Sequence, residues 1–87
     1  MAENIQFNPA AFRHGITEDD IRKAIETKIY EGPMYEHENK YAIIGFDIAG
    51  NLLEIMYNII DGESINIFHA MKCRNGFIKQ LKKSGGK

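Results

Sequence analysis

The sequence predicts a small α+β domain with N-terminal helices, an antiparallel meander of three or four strands, and a C-terminal helix. Three observations carry this expectation. Apolar residues recur at helical spacing over 17–28 (Ile21, Ala24, Ile25). They give way, between residues 40 and 71, to β-branched and aromatic runs separated by Gly-bearing turns. A helical pattern with Phe77, Ile78 and Leu81 then closes the chain.

Taken in order, Ile5-Gln6-Phe7 is a short extended piece. Asn8-Pro9 offers a cap and a proline at the first helical position, so residues 10–14 are expected to turn as a short helix that Gly15 stops. Thr17, with Asp20 three residues on, is an N-cap in a carboxylate variant of the capping box. Glu18, Asp19 and Asp20 suit the positive end of the helix dipole. Ile29-Tyr30-Glu31 reads as a short strand, with Gly32-Pro33 breaking it and placing it at a sheet edge, and Met34-Tyr35-Glu36 continuing that edge. His37-Glu38-Asn39 is a turn, 40–47 a strand, and Ala49-Gly50-Asn51 a hairpin turn. Residues 52–60 are the best candidate for a central strand, Asp61-Gly62-Glu63 turns again, and 64–71 is the last strand. Residues 74–83 form the final helix, which makes 1–83 one domain and 84–87 a flexible tail. Segregated helices and strands imply helices on one sheet face. On the central strand Leu53, Ile55, Tyr57 and Ile59 share one face; Leu52, Glu54, Met56, Asn58 and Ile60 share the other, which is mixed in character.

Composition narrows the function classes. The 87 residues are 44% hydrophobic and 26% charged, an ordinary balance for a folded domain rather than a disordered one. The apolar runs are far shorter than the roughly 20 residues a membrane helix needs. Met-Ala-Glu-Asn-Ile-Gln shows no secretory n- or h-region, and Cys73 is the sole cysteine, so a cytoplasmic chain without disulfides is expected. A net charge of −1 conceals a segregation: all 12 acids lie between Glu3 and Glu63, while 69–87 carry Lys72, Arg74, Lys79, Lys82, Lys83 and Lys87 and no acid. A basic terminus of this kind either faces phosphate or is a solvated helix whose cations suit its own dipole.

His14, His37 and His69 are isolated, with no second ligand at zinc spacing, so no metal and no cofactor are expected. Neither a phosphate-binding glycine loop nor a nucleophile elbow is present. Cys73, between Lys72 and Arg74, is either an activated thiol or a structural one. His69, Lys72 and Arg74 remain as the candidate catalytic set. Cleavage of RNA by its own 2′-hydroxyl needs a base, an acid, and cations for the phosphorane charge. Imidazole serves as acid or base near neutral pH, Arg grips phosphate bidentately and Lys adds a point charge. Strand alternation puts Ile65, Ile67, His69 and Met71 on one face, with Lys72 and Arg74 just past it. A half-buried structural histidine is the competing reading. Arg13, His14 and Lys79 are candidate RNA- or phosphate-binding residues, though His14 also suits a helix C-terminus. Tyr30, Tyr35, Tyr41 and Tyr57 are either base-stacking or packing residues.

Phe7-Asn8-Pro9, Arg13-His14-Gly15-Ile16-Thr17, Gly50-Asn51-Leu52-Leu53-Glu54-Ile55 and Ile67-Phe68-His69-Ala70-Met71-Lys72-Cys73-Arg74 together resemble the BrnT family of type II toxins and its small relatives. The resemblance spans 7–77 and implies a RelE/BrnT-like fold, metal-independent endoribonuclease activity that is either ribosome-independent or ribosome-linked, and a cognate DNA-binding antitoxin as partner. Arg13 and His14 match the family's Lys-His, and Arg74 its strand-end arginine. His69 stands near a family serine and inherits no role. The chain departs from the family in a shorter first helix, an acidic body, and a last helix without the Arg/Glu-rich continuation. A non-catalytic protein-interaction module is the alternative reading.

Overall fold

The fold is known from a computed structural model and is described for residues 4–34 and 37–84. Five strands, β1 (Asn4–Phe7), β2 (Tyr30–Pro33), β3 (Tyr41–Phe46), β4 (Leu52–Asp61) and β5 (Ser64–Lys72), form one sheet in the order β1-β5-β4-β3-β2. A 3-10 turn, Pro9–Phe12, and helix α1 (Glu18–Glu26) lie between β1 and β2, and helix α2 (Asn75–Ser84) follows β5. The sheet is mixed. Neighbours from β2 to β5 are antiparallel, whereas β1 runs parallel to β5 from Asn4 opposite Ser64 to Phe7 opposite Ile67.

This corrects the expected architecture. The short extended piece before the first helix is a strand of the sheet, Asn4–Phe7; the expected first helix is a four-residue 3-10 turn; and the sheet is neither purely antiparallel nor limited to four strands. The RelE/BrnT-like arrangement of N-terminal helices, three- to four-stranded meander and C-terminal helix is therefore not the fold of this chain. The reason is the non-local pairing of β1. Ile5-Gln6-Phe7 is too short to read as a strand by itself and becomes one only because β5 presents an open edge about sixty residues later.

Local signals set the ends of the elements. Asn8 Oδ1 accepts from the Ala10 N–H, Thr17 Oγ1 accepts from the Asp20 N–H, and Gly15 and Gly50 adopt positive φ of 82° and 90°. Pro33 lies on β2, an edge strand. Ser84, expected to begin a flexible tail, is instead the last residue of α2. The expected continuation through Tyr35 and Glu36, and the rest of the expected tail, 85–87, lie outside the described residues.

The helices occupy opposite faces, not one. Ile21, Ala24 and Ile25 of α1 pack with Ile43, Leu53, Ile55, Ile67 and Ala70 in the larger core. Phe77 and Leu81 of α2 pack with Met34, Ala42 and Ile44, flanked by Leu52 and Met56, in a smaller core on the other side. The mixed face of β4 is thus partly covered by the chain's own C-terminal helix. Gly45 lets α1 approach: a Cβ there would stand 1.9 Å from the Ala24 carbonyl oxygen. Thr27 fastens the helix end, its Oγ1 accepting from the Phe46 N–H at 3.0 Å.

Candidate functional site

The register of β5 against β4 shifts between Met56 and Tyr57. Met56 opposes His69, but Tyr57 opposes Ile67, which leaves Phe68 as an extra residue. A bulge reverses the inward–outward alternation beyond it. Ile65 and Ile67 face the α1 core before the bulge and Ala70 faces it afterwards. His69 and Met71 consequently turn to the α2 side. The expected alignment of His69 with Ile65 and Ile67 is corrected, and the correction brings His69 to Glu54.

Glu54 is the centre of the site. Its neighbours Leu53 and Ile55 face the α1 core, so alternation aims Glu54 at the start of α2. It has no exposed surface. Oε2 accepts from His69 Nε2 at 2.9 Å and from Arg74 Nη2 at 2.5 Å. Oε1 accepts from the Arg74 backbone N–H at 3.1 Å and from Arg74 Nε at 3.2 Å. Arg74 caps α2, its carbonyl accepting from the Phe77 and Ile78 N–H groups. The carboxylate therefore meets both a guanidinium and the positive end of a helix. Burial alone raises the carboxyl pKa. The Arg74 side chain and backbone and His69 outweigh it, and hold the group below the usual glutamate range. Hydrogen bonding and charge from Glu54 push the Arg74 guanidinium upward in turn.

Around this anchor His69 remains 20% exposed and Arg74 56% exposed. The His14 ring meets the His69 ring edge-on, with centroids 5.7 Å apart. It arrives there because the 3-10 turn packs on β5 and Gly15 ends it. Two imidazoles, a buried carboxylate and a half-exposed guanidinium thus share one place at the β5–α2 junction.

The other candidates stand apart. Lys72 opposes Leu53 and so projects, exposed, toward the α1 side of the sheet, away from Glu54. Arg13 is exposed next to His14, and Lys79 is exposed on α2; among the described residues neither forms a hydrogen bond or ion pair with Glu54, His69 or Arg74. The thiol of Cys73 is raised by burial and then by the Glu54 charge, against a smaller opposing effect of Arg74, so its flanking cations do not activate it. Tyr41 and Tyr57 stack on each other at 5.2 Å, the Tyr57 hydroxyl donates to Glu31 at 2.6 Å, and Tyr30 packs against the α2 core. These three are packing residues. Tyr35 lies outside the described residues. Sequence reasoning passed over Glu54, although an acid inside Leu-Leu-Glu-Ile-Met was a visible signal: a carboxylate in a central strand needs a partner.

The molecule is thus a small α+β domain, with a mixed five-stranded sheet, that carries a carboxylate–imidazole–guanidinium cluster. No protein-family model, curated protein or solved structure matches the chain. Among the described residues no helix is long and apolar enough to cross a membrane.

Proposed function

We propose that this chain is a metal-independent endoribonuclease that cleaves RNA by attack of the 2′-hydroxyl on the adjacent phosphodiester. The observation that carries the reading is the pairing of His69, backed by buried Glu54, with His14. A carboxylate behind an imidazole fixes its orientation and tautomer. With Nε2–H donated to Glu54, Nδ1 of His69 holds the free lone pair and takes the proton of the 2′-hydroxyl. His14, exposed beside it, gives a proton to the departing 5′-oxygen. Substrate lies across the exposed edges of the two rings, since they touch too closely to admit a phosphate between them. Arg74 spends Nε and one Nη2 hydrogen on Glu54 and turns its remaining N–H groups outward toward phosphate oxygens. The products are a 2′,3′-cyclic phosphate and a 5′-hydroxyl.

The setting we propose is a type II toxin–antitoxin pair, with an antitoxin protein as partner. This part of the reading is supported by the resemblance of Arg13-His14-Gly15 and the 67–74 stretch to BrnT-like toxins. Purified protein in chelator, incubated with single-stranded RNA, is expected to give cyclic-phosphate ends. His69→Ala and His14→Ala should each slow cleavage about 10²–10⁴-fold. Absence of cleavage by the wild type, or full activity of His69→Ala, defeats the ribonuclease reading. Absence of growth arrest on induction defeats the toxin setting.

A further inference from the structure

Two residues along β4 from the position opposite His69, on the same face, lies a hollow of about 400 Å³ lined by Glu38, Asn39, Lys40, Asn58, Asn66 and Phe68. Met56 opposes His69, and Asn58 follows two residues later, roughly 7 Å along the strand. The hollow is built from three separate devices. Asn66 Nδ2 donates to Asn58 Oδ1 at 3.0 Å, joining the two amides side by side. Asn58 Nδ2 and Asn66 Oδ1 have no partner among the described residues, so the pair presents one donor and one acceptor. Phe68 is the extra residue of the bulge, set beside His69 with the Lys40 ammonium 5.8 Å from its ring centroid. Asn39, at φ 53°, bonds both the N–H and the C=O of Ile59 through its side chain and so pins the rim to β4.

We propose that this hollow is a nucleobase subsite for the strand cleaved at His69. A planar ring beside an adjacent donor and acceptor matches a base, which offers a π-face and complementary groups on its Watson–Crick edge. A base entering the hollow stacks on Phe68 in place of Lys40, and the freed ammonium turns to the strand's phosphate. The amide pair reads the edge. Asn39 keeps the rim in place before the base arrives, so little ordering is lost on binding. The step of about two strand residues from His69 places the base of a nucleotide in the hollow while its phosphate lies at the imidazoles.

The proposal builds on the ribonuclease reading, and the test uses a strand that cannot be cleaved so that the two fail separately. A 2′-deoxy hexanucleotide and uridine and adenosine 5′-monophosphates are titrated into the full chain, and backbone amide shifts are followed by NMR. Shifts centred on residues 40, 58, 66 and 68 are expected. Phe68→Leu, which keeps an apolar side chain, should weaken hexanucleotide binding about 5- to 100-fold, and Lys40→Ala, an exposed change, should weaken it less. Shifts confined to other surfaces, no shifts at all, or unchanged affinity in Phe68→Leu overturns the subsite, whether or not RNA is cleaved. Phe68-dependent binding by a protein that leaves RNA intact sustains the subsite and removes the cleavage reading.

Discussion

Glu54→Gln tests the anchor of the site most directly. The carboxylate accepts four hydrogen bonds, three from Arg74 and one from His69, with no exposed surface. Glutamine retains one acceptor oxygen for the Arg74 N–H and Nε. Its amide NH₂ then confronts Arg74 Nη2, donor against donor. Two charge-assisted bonds are lost, each worth about 1.5–3 kcal/mol. Two effects offset this loss: the half-exposed guanidinium returns to water, and no charge need be buried. The net cost is about 2–3 kcal/mol, or a fall in Tm of roughly 10–20 °C for a domain this small. Urea unfolding followed by circular dichroism should show a lower midpoint with unchanged slope. The pH dependence supplies a second readout. The folded-state pKa of Glu54 lies below its unfolded value, so its contribution is fully present above about pH 4.3 and is lost as pH falls through the folded value. The gap between wild type and variant should therefore be wide at pH 7 and narrow on acidification below pH 4. A variant within about 0.5 kcal/mol of wild type at pH 7, or a gap that does not narrow in acid, refutes the account of Glu54 as a buried, ionised anchor.

Other expectations follow from the same geometry. Gly45→Ala drives a methyl into the Ala24 carbonyl and lifts α1 from β3, costing about 2–4 kcal/mol in urea unfolding; a neutral result disproves that close approach. Leu53→Ala empties a fully buried position between α1 and the sheet and should cost about 2–5 kcal/mol in the same assay. Lys72→Ala should change RNA cleavage by no more than a few-fold, because Lys72 projects from the opposite side of the sheet to Glu54; a loss as large as that of His69→Ala contradicts the register. Cys73 should react slowly with a disulfide reagent at pH 8 until the chain unfolds, and rapid labelling of the folded protein would show an activated thiol.

Much of the local structure was legible in the residues. Thr17 with Asp20, Asn8-Pro9 and Gly50 each act within a few positions of themselves, so their caps and turns follow from sequence. His69, Arg74 and His14 were visible as chemistry-bearing residues for a similar reason: side-chain type and spacing can be read along the chain. The grouping was not. Lys72 adjoins the cluster in sequence but leaves it in space, and Glu54 joins it from a different strand.

What the sequence determined by itself was therefore the vocabulary: helix α1 with its N-cap, the β3 and β4 runs, the basic C-terminal helix, and an imidazole and a guanidinium near the end of β5. Tertiary structure decided three further things. It recruited β1 to the open edge of β5, it set α1 and α2 on opposite faces, and through the extra residue at Phe68 it turned His69 toward Glu54. The first two depend on contacts between segments far apart in the chain, and the third on where one strand of the β4–β5 hairpin admits an extra residue. A one-residue change in register exchanges the faces of a strand, and nothing in the nine residues of β5 itself specifies where its partner will admit that change.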